Sequence, residues 1–264
     1  MNARPGVRPC AVAGSFYPAQ ASVLQDQIDS LLGETTPPAL PSPRAVIVPH
    51  AGYQYSGITA AAAYRQLRAL RGRVSRVLLL GPAHRVYLEA MALPSATHFS
   101  TPLGDIPLDR KGMERALTLP WVTSSDEAHR QEHSLEVQLP FLQHVLGDFS
   151  LLPVVVGHCP TEAVACLIDA LWRSEDTLLV ISSDLSHFEE YDNAREHDLA
   201  SCQHILSREG NLRGQDACGA GPINGLLASQ RGRKYQVELL DYRNSGDTGG
   251  DKNRVVGYAS FSLF

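Results

Sequence analysis

The chain has 264 residues, 44% of them apolar, and a formal net charge of −5 at pH 7. That length suits one large α/β domain or two small ones with a sizeable buried core. Acidic and basic residues alternate along the chain, so no basic face is offered to nucleic acid or an anionic membrane, and neither is expected as a partner. The first residues lack the pattern of a secretory leader, and no apolar run nears the ~18 residues that span a bilayer; the expected location is the cytoplasm. The five cysteines, Cys10, Cys159, Cys166, Cys202 and Cys218, are odd in number and form no CxxC pair. They read as free thiols of a reducing compartment, not as a zinc knuckle or a disulfide framework.

In chain order, Leu24, Ile28, Leu31 and Leu32 form a helical stripe over Leu24 to Leu32. The proline-rich stretch Thr35 to Pro43 reads as a loop. Four short apolar runs follow: Ala45 to Val48, Val77 to Leu80, Leu151 to Val156 and Leu178 to Ile181. They are continuous, not alternating, as strands covered on both faces of a parallel sheet require. Helical stretches separate them: Ile58 to Leu70, Ser134 to Leu146 and Thr161 to Trp172. This alternation predicts an α/β fold, a three-layer α/β/α architecture with a mostly parallel central sheet. Phe99 to Leu108 reads as a hairpin or irregular insertion, and Tyr235 to Tyr242 with Arg254 to Phe264 as a late antiparallel hairpin. No repeat or long linker divides the chain, so residues 1–264 are expected to form a single domain.

Three of the strands end on chemistry. Ala45-Val46-Ile47-Val48 runs into Pro49-His50-Ala51-Gly52-Tyr53, and Val77-Leu78-Leu79-Leu80 into Gly81-Pro82-Ala83-His84. Leu179-Val180-Ile181 runs into Ser182-Ser183-Asp184-Leu185-Ser186-His187. Ligands of open α/β sheets bind at the carboxyl ends of the strands, where such loops converge. If these strands are parallel neighbours, His50, His84, Asp184 and His187 meet. Two histidines with one carboxylate suit Fe(II), with open positions for substrate or oxygen. Zinc fits nearly as well, and copper is a further candidate; spacing does not separate them.

Three weaker clusters accompany this one. In Glu132-His133-Ser134-Leu135-Glu136, a helix would put Glu132 and Glu136 on one face, with His133 three residues from Glu136. These groups are either partners that fix the tautomer of a ligand histidine or a solvated helix start. Cys218, in Asp216-Ala217-Cys218-Gly219-Ala220-Gly221-Pro222, precedes an apolar helical stretch. It is either an activated nucleophile paired with a histidine base or an incidental thiol in a glycine turn. In Asn244-Ser245-Gly246-Asp247-Thr248-Gly249-Gly250-Asp251, Asp247 or Asp251 either completes a metal site or belongs to a hairpin turn. GxSxG, GxxxxGK[ST], HExxH and a GxGxxG after the first strand are all missing, which disfavours nucleotide binding and serine-hydrolase chemistry.

Together, Ala13-Gly14-Ser15-Phe16-Tyr17-Pro18, Pro49-His50-Ala51-Gly52-Tyr53 with Tyr55-Ser56-Gly57, Gly81-Pro82-Ala83-His84, Glu132-His133-Ser134-Leu135-Glu136, Ser182-Ser183-Asp184-Leu185-Ser186-His187 and Cys218-Gly219 resemble the ordered signature of the Memo family. Each motif alone is weak, but six in order span nearly the whole chain. The resemblance implies a fold similar to the class III (LigB-type) extradiol dioxygenases, whose non-haem iron is held by two histidines and a carboxylate. It implies that His50 and His84 are the metal histidines and that Asp184 and His187 line the same cleft. Animal members resemble a signalling adaptor for phosphorylated receptor peptides, with a late-loop cysteine as third metal ligand. Here that loop has no cysteine: Thr248 falls at the matching position with Asp247 beside it, so either Asp247 supplies a carboxylate, or two histidines bind with water, or metal binding is weaker; Asp247 is the expected third ligand. Bacterial and archaeal members resemble protein B of the AmmeMemoRadiSam system, which implies association with a radical SAM protein.

Two readings of function follow. In the first, a divalent metal, Fe(II) foremost, is bound by His50, His84 and Asp247 in an oxidoreductase of dioxygenase type. His187 would then act as general acid or base and Asp184 would orient it. In the second, the same cleft binds metal, a peptide or a small molecule without turnover, since a fold does not fix a function.

Overall fold

The computed structural model describes residues 4–34 and 40–264. The loop read over Thr35 to Pro43 lies partly outside the described residues. In chain order the strands are β1 (Val7–Arg8), β2 (Ala45–Val48), β3 (Arg76–Pro82), β4 (Met91–Leu93), β5 (His98–Thr101), β6 (Gly104–Pro107), β7 (Val122–Ser124), β8 (Ser150–Val156), β9 (Thr177–Ser182), β10 (His187–Glu189), β11 (Val237–Asn244) and β12 (Val255–Leu263). The helices are α1 (Ala21–Gly33), α2 (Tyr53–Leu67), α3 (Arg110–Ala116), α4 (Asp126–Arg130), α5 (Leu139–Leu146), α6 (Thr161–Leu171), α7 (Tyr191–Leu206) and α8 (Ala220–Ala228).

The four continuous apolar runs form the middle of a nine-stranded sheet ordered β10-β12-β2-β9-β3-β8-β4-β7, with β11 paired to β12. Every residue of β2 and β9 is buried, as expected for strands with helices on both faces. Strands β2, β9, β3 and β8 are mutually parallel, and β12 and β4 flank them antiparallel. Helices α1, α2 and α5 pack together, and α6 packs with α8 and α3. The result is the expected three-layer mixed α/β fold. Both expected hairpins form, β5 with β6 and β11 with β12. No helix among the described residues is long and apolar enough to cross a membrane.

Two elements depart from the sequence reading. Helix α7 has no apolar stripe; its buried positions include Asp198, Ser201 and Cys202, so periodicity does not reveal it. The helix expected from Ser134 instead begins as a 3-10 turn over Glu136–Gln138 and becomes α-helical only at Leu139. Glu132 and Glu136 therefore do not share a helix face, and their carboxylates take separate tasks.

Glu136 is fully buried and ties the N-terminal segment to the sheet edge. It pairs with Arg8, accepts the amides of Ala11 (2.8 Å) and Val12 (3.0 Å), and accepts the Tyr17 hydroxyl at 2.6 Å. The Arg8 guanidinium also donates to the carbonyls of His129 (3.0 Å) and Glu132 (2.7 Å). Removing one partner of such a buried pair strands the other charge in a poorly solvating interior. Glu136→Gln should lower unfolding free energy by about 3–5 kcal/mol, measured from denaturant midpoints. A loss within that of an ordinary surface substitution would contradict the anchoring role.

His129 offers a second check, through pH. Its Nε2–H donates to the Ala92 carbonyl at 2.9 Å, and its buried Nδ1 has no partner. Burial lowers its pKa from 6.5 to about 4. The unfolded chain therefore binds a proton that the folded ring refuses. Stability should fall as pH drops from about 6.5 to about 4 and level off below, by on the order of 3 kcal/mol from this ring. The midpoint difference between parent and His129→Gln should shift toward the variant over that window; a pH-independent difference would refute the assignment.

Candidate metal centre

The parallel register of β9 with both neighbours builds the site. Val48 pairs with Ser182 and Leu80 with Ile181, so the chain leaves β2, β9 and β3 at one level of one edge. His50, Asp184 and His84 follow within a few residues. The loop carrying Glu132 and His133 closes over the end of β3 at Gly81. A Cβ there would lie 2.8 Å from Ser134 Oγ and 2.9 Å from Leu135 Cδ2, so a side chain at this position would have to displace both.

Three imidazoles meet at this edge. Donor nitrogens of His50, His84 and His133 all lie within 4.8 Å of one another, and the group could hold a metal ion. Ring centroids are 5.2 Å apart for His50 and His84, 5.4 Å for His50 and His133, and 4.7 Å for His84 and His133. His50 and His84 were expected here as ligands; His133 had been read only as a supporting group or part of a helix start.

Hydrogen bonds fix two of the rings. Ser182 Oγ donates its single proton to the Ser134 carbonyl at 2.6 Å and accepts from Gln138 Nε2 at 2.7 Å. It must then accept from His50 Nδ1, 2.8 Å away, which puts the ring proton on Nδ1 and leaves a lone pair on Nε2. The Glu132 carboxylate accepts both the His84 amide (2.6 Å) and Nδ1 (2.9 Å), and the Ser134 amide at 2.9 Å. His84 Nε2 is thereby also left as a donor to a cation. Such carboxylate–imidazole pairs commonly orient metal-binding histidines. His133 Nδ1 lies 3.4 Å from Glu132 Oε1 without hydrogen-bond geometry and is otherwise an orphaned buried nitrogen.

The electrostatics agree with that donor set. Burial, then repulsion from His84, lowers the His50 pKa to about 3. Burial, then His50, lowers that of His133 to about 4. Both rings are neutral near pH 7, the form that binds metals. Burial pushes the Glu132 carboxyl up, but hydrogen bonding and charge from His84 outweigh it and hold the pKa at about 2. Two imidazoles that are neutral near pH 7, with a third imidazole held by a buried carboxylate beside them, fit a divalent cation, and three protein ligands leave positions open for another molecule.

Asp184 is buried, and Oδ1 accepts the His50 amide at 2.7 Å, while Oδ2 lies 4.0 Å from His50 Nε2. It thus steadies His50 instead of orienting His187. Burial raises its pKa, against the pull of the His50 amide and of His187. His187 is exposed at the start of β10, and its Nδ1 donates to the Leu185 carbonyl at 2.8 Å, leaving Nε2 as an acceptor.

Asp247 has a different place from the one expected. The late loop folds as a 3-10 turn over Ser245–Asp247 with a capping box, so Asp247 Oδ2 accepts the Asn244 amide at 2.9 Å. Its Oδ1 accepts the Tyr191 hydroxyl at 2.6 Å. Both oxygens are committed, and His133, not Asp247, completes the group of three. Thr248 Oγ1 donates to the Ser245 carbonyl at 3.3 Å. Asp251 accepts the amide and side chain of Asn253.

Cys218 is not an activated thiol. Its Sγ lies 3.3 Å from His50 Nε2, but burial, then the Asp184 charge, pushes its pKa up to about 12. With His50 held at about 3, the pair is mismatched for a nucleophile and base.

Cavities open on both sides of the group. One of about 640 Å³ is lined by His84, Tyr87, Leu88, Cys159 and Cys218 among others. The other, about 400 Å³, is lined by Phe16, Tyr55, His133, Asp184, His187 and Tyr258 among others.

The sequence pattern of the family described as Memo-like protein matches residues 8–262. A MEMO1 family protein of Sulfolobus acidocaldarius is 37% identical over 281 residues, covering 96% of this chain and 98% of its own. One of Aquifex aeolicus is 35% identical over 264 residues, covering 96% and 97%. Among solved structures, an uncharacterized protein of Escherichia coli K12 aligns with a TM-score of 0.49 at 13% identity, over 83% of this chain and 98% of that one.

The Glu132 clamp yields a direct expectation. Glu132→Gln cannot accept from His84 Nδ1 and the His84 amide with the same charge, so His84 loses its fixed orientation. Affinity for a divalent ion should drop by about 10–100-fold, read by competition with a chromophoric chelator. An unchanged affinity would remove His84 from the ligand set.

Proposed function

This chain belongs to the Memo family, and we propose that its three-histidine group holds one divalent metal ion, Fe(II) foremost, in an oxidoreductase of dioxygenase type. The observation that carries the metal is the convergence of three imidazoles within 4.8 Å, two of them with Nδ1 atoms hydrogen-bonded so that Nε2 carries the lone pair. Fe(II) bound by imidazoles with open positions would supply the means to bring oxygen and an electron-rich substrate together.

The chain's own residues have separable tasks in this reading. His50, His84 and His133 bind; Ser182 and Glu132 hold His50 and His84 in their donor tautomers. Asp184 fixes the His50 backbone. His187, with its Nε2 acceptor facing the smaller chamber, takes a proton from a substrate hydroxyl and returns it later, the role of a general base and acid. Phe16, Tyr55 and Tyr258 give that chamber apolar walls suited to a flat small molecule.

Protein prepared without oxygen should carry close to one iron per chain by mass spectrometry, and a His50→Ala, His84→Ala double variant should carry almost none. Oxygen uptake with catechol-type diols should follow the iron. His187→Ala should keep the metal yet slow uptake by about 10²–10⁴-fold. Retention of metal by the double variant would defeat the metal assignment. Zinc or copper in place of iron, with no oxygen uptake, would leave a metal-binding protein without the proposed redox chemistry.

A further inference from the structure

His197 stands between two carboxylates. Its Nδ1 is 2.8 Å from Glu189 Oε1, and its Nε2 is 2.9 Å from Asp216 Oδ1. A neutral imidazole has one N–H and one lone pair, and a carboxylate only accepts, so both contacts are hydrogen bonds only when the ring carries two protons. Burial opposes that charge, but hydrogen bonds and charge from Asp216 and Glu189 outweigh it and raise the pKa above 6.5. The ring thereby ties three segments together: α7, which carries it, β10, which ends on Glu189, and the turn before α8 that holds Asp216.

The other charged groups around the ring have partners of their own. Asp216 Oδ2 accepts the Arg213 amide at 2.7 Å, beside the Arg213 charge. His204, farther along α7, meets Glu209 at 2.8 Å. Asp198 accepts the Ser186 amide at 2.9 Å and the hydroxyl of Tyr242 from β11 at 3.0 Å, and β12 approaches it through Gly257.

Strand β10 is the segment under tension. It is a three-residue edge strand paired with β12, and its register shifts between His187 and Glu189. Phe188 between them has a φ of 64°, the left-handed region that strains a bulky side chain. Its ring is 62% exposed, with the Arg254 guanidinium 4.9 Å from its centroid, so no core packing offsets that strain. On either flank, the Leu185 amide donates to the Gly257 carbonyl at 2.8 Å and the Tyr191 amide to the Lys252 carbonyl at 2.9 Å.

We propose that His197 is a pH-sensitive clamp, which as an imidazolium holds Glu189 and the bulged course of β10, and which on losing a proton keeps Asp216 and lets β10 go. Asp216 is the one kept because its side chain is 20% exposed against 35% for Glu189, and so has less water to turn to. The departing proton is the one on Nδ1, and it passes to solvent. The clamp is closed below pH 6.5 and opens as pH rises through the raised pKa. His187, which lines the smaller chamber, is the first residue of the strand set loose. The clamp requires neither metal nor turnover.

Nuclear magnetic resonance of the full chain tests it. The His197 ring, assigned with His197→Gln, should titrate above 6.5 with both nitrogens protonated below the midpoint. Across that titration the Leu185 and Tyr191 amides, corrected for intrinsic exchange, should lose protection about tenfold for each unit by which the ring stands above its ordinary value. The Ala217 amide, bonded to the Arg213 carbonyl at 3.1 Å in the retained turn, should keep its protection. In His197→Gln the Leu185 and Tyr191 amides should exchange at the released rate on both sides of that window. If this variant does not fold, Glu189→Gln decides, and it should lower the ring midpoint and shrink the pH-dependent loss. A ring midpoint at or below the ordinary value, protection at Leu185 and Tyr191 that ignores the ring, or a loss at Ala217 in their place would each overturn the clamp.

Discussion

Strand β9 lies between β2 and β3 and runs parallel to both. Parallel neighbours cannot be joined by a tight hairpin; each needs a crossover that returns the chain to the opposite edge. Their carboxyl ends are therefore forced to one side, and whatever follows them is gathered there. His50, His84 and Asp184 are in reach of one another for that reason alone. The segment 131–135 is laid over the same edge by the close approach at Gly81, which adds His133 and Glu132. The centre is assembled from three strand ends of one rigid sheet and one segment laid over them, which suits a site whose donors must not wander.

Burial gives this arrangement its electrostatic character. Three imidazoles so close together would repel if charged, and desolvation already penalises the charge, so His50 and His133 remain neutral well below pH 7. The Glu132 carboxylate is a nearby fixed charge, held ionised by hydrogen bonds from His84 and Ser134 and by the His84 charge. Four residues on, Glu136 has a different fate: it is spent on Arg8, two amides and Tyr17. One carboxylate serves the ligands and the other holds the N-terminal segment against the loop that carries them. Through the Glu132 carbonyl, Arg8 touches both tasks.

Much of this was legible in the sequence because burial leaves a pattern. The four continuous apolar runs predicted the parallel core, and His50 and His84 stood out because each follows such a run at once. His133 is harder to see: it follows no strand, and it lies in an irregular segment ahead of the 3-10 turn that precedes α5. Asp247 illustrates the reverse error. Its neighbours Asn244 and Ser245 favour a capped turn, and that local chemistry consumed the carboxylate that long-range reasoning wanted for a metal. Helix α7 escaped detection because its buried side includes Asp198, which accepts the Ser186 amide and the Tyr242 hydroxyl, polar contacts that hydrophobic periodicity cannot register. Membership of the Memo family rested on motif order, which survives such local surprises.

The bond between His50 and Ser182 joins residues 132 positions apart, and the contact between His50 and Cys218 joins residues 168 apart. Contacts of such range form late, since the chain between them must first be ordered. During synthesis the first histidine has neither its tautomer-fixing partner nor its neighbouring sulfur until well over half the protein has been made. A nascent chain therefore offers a passing ion only flexible, unpaired imidazoles. On the proposed metal reading, selectivity among metals would belong to the finished fold, and loading would follow folding instead of guiding it.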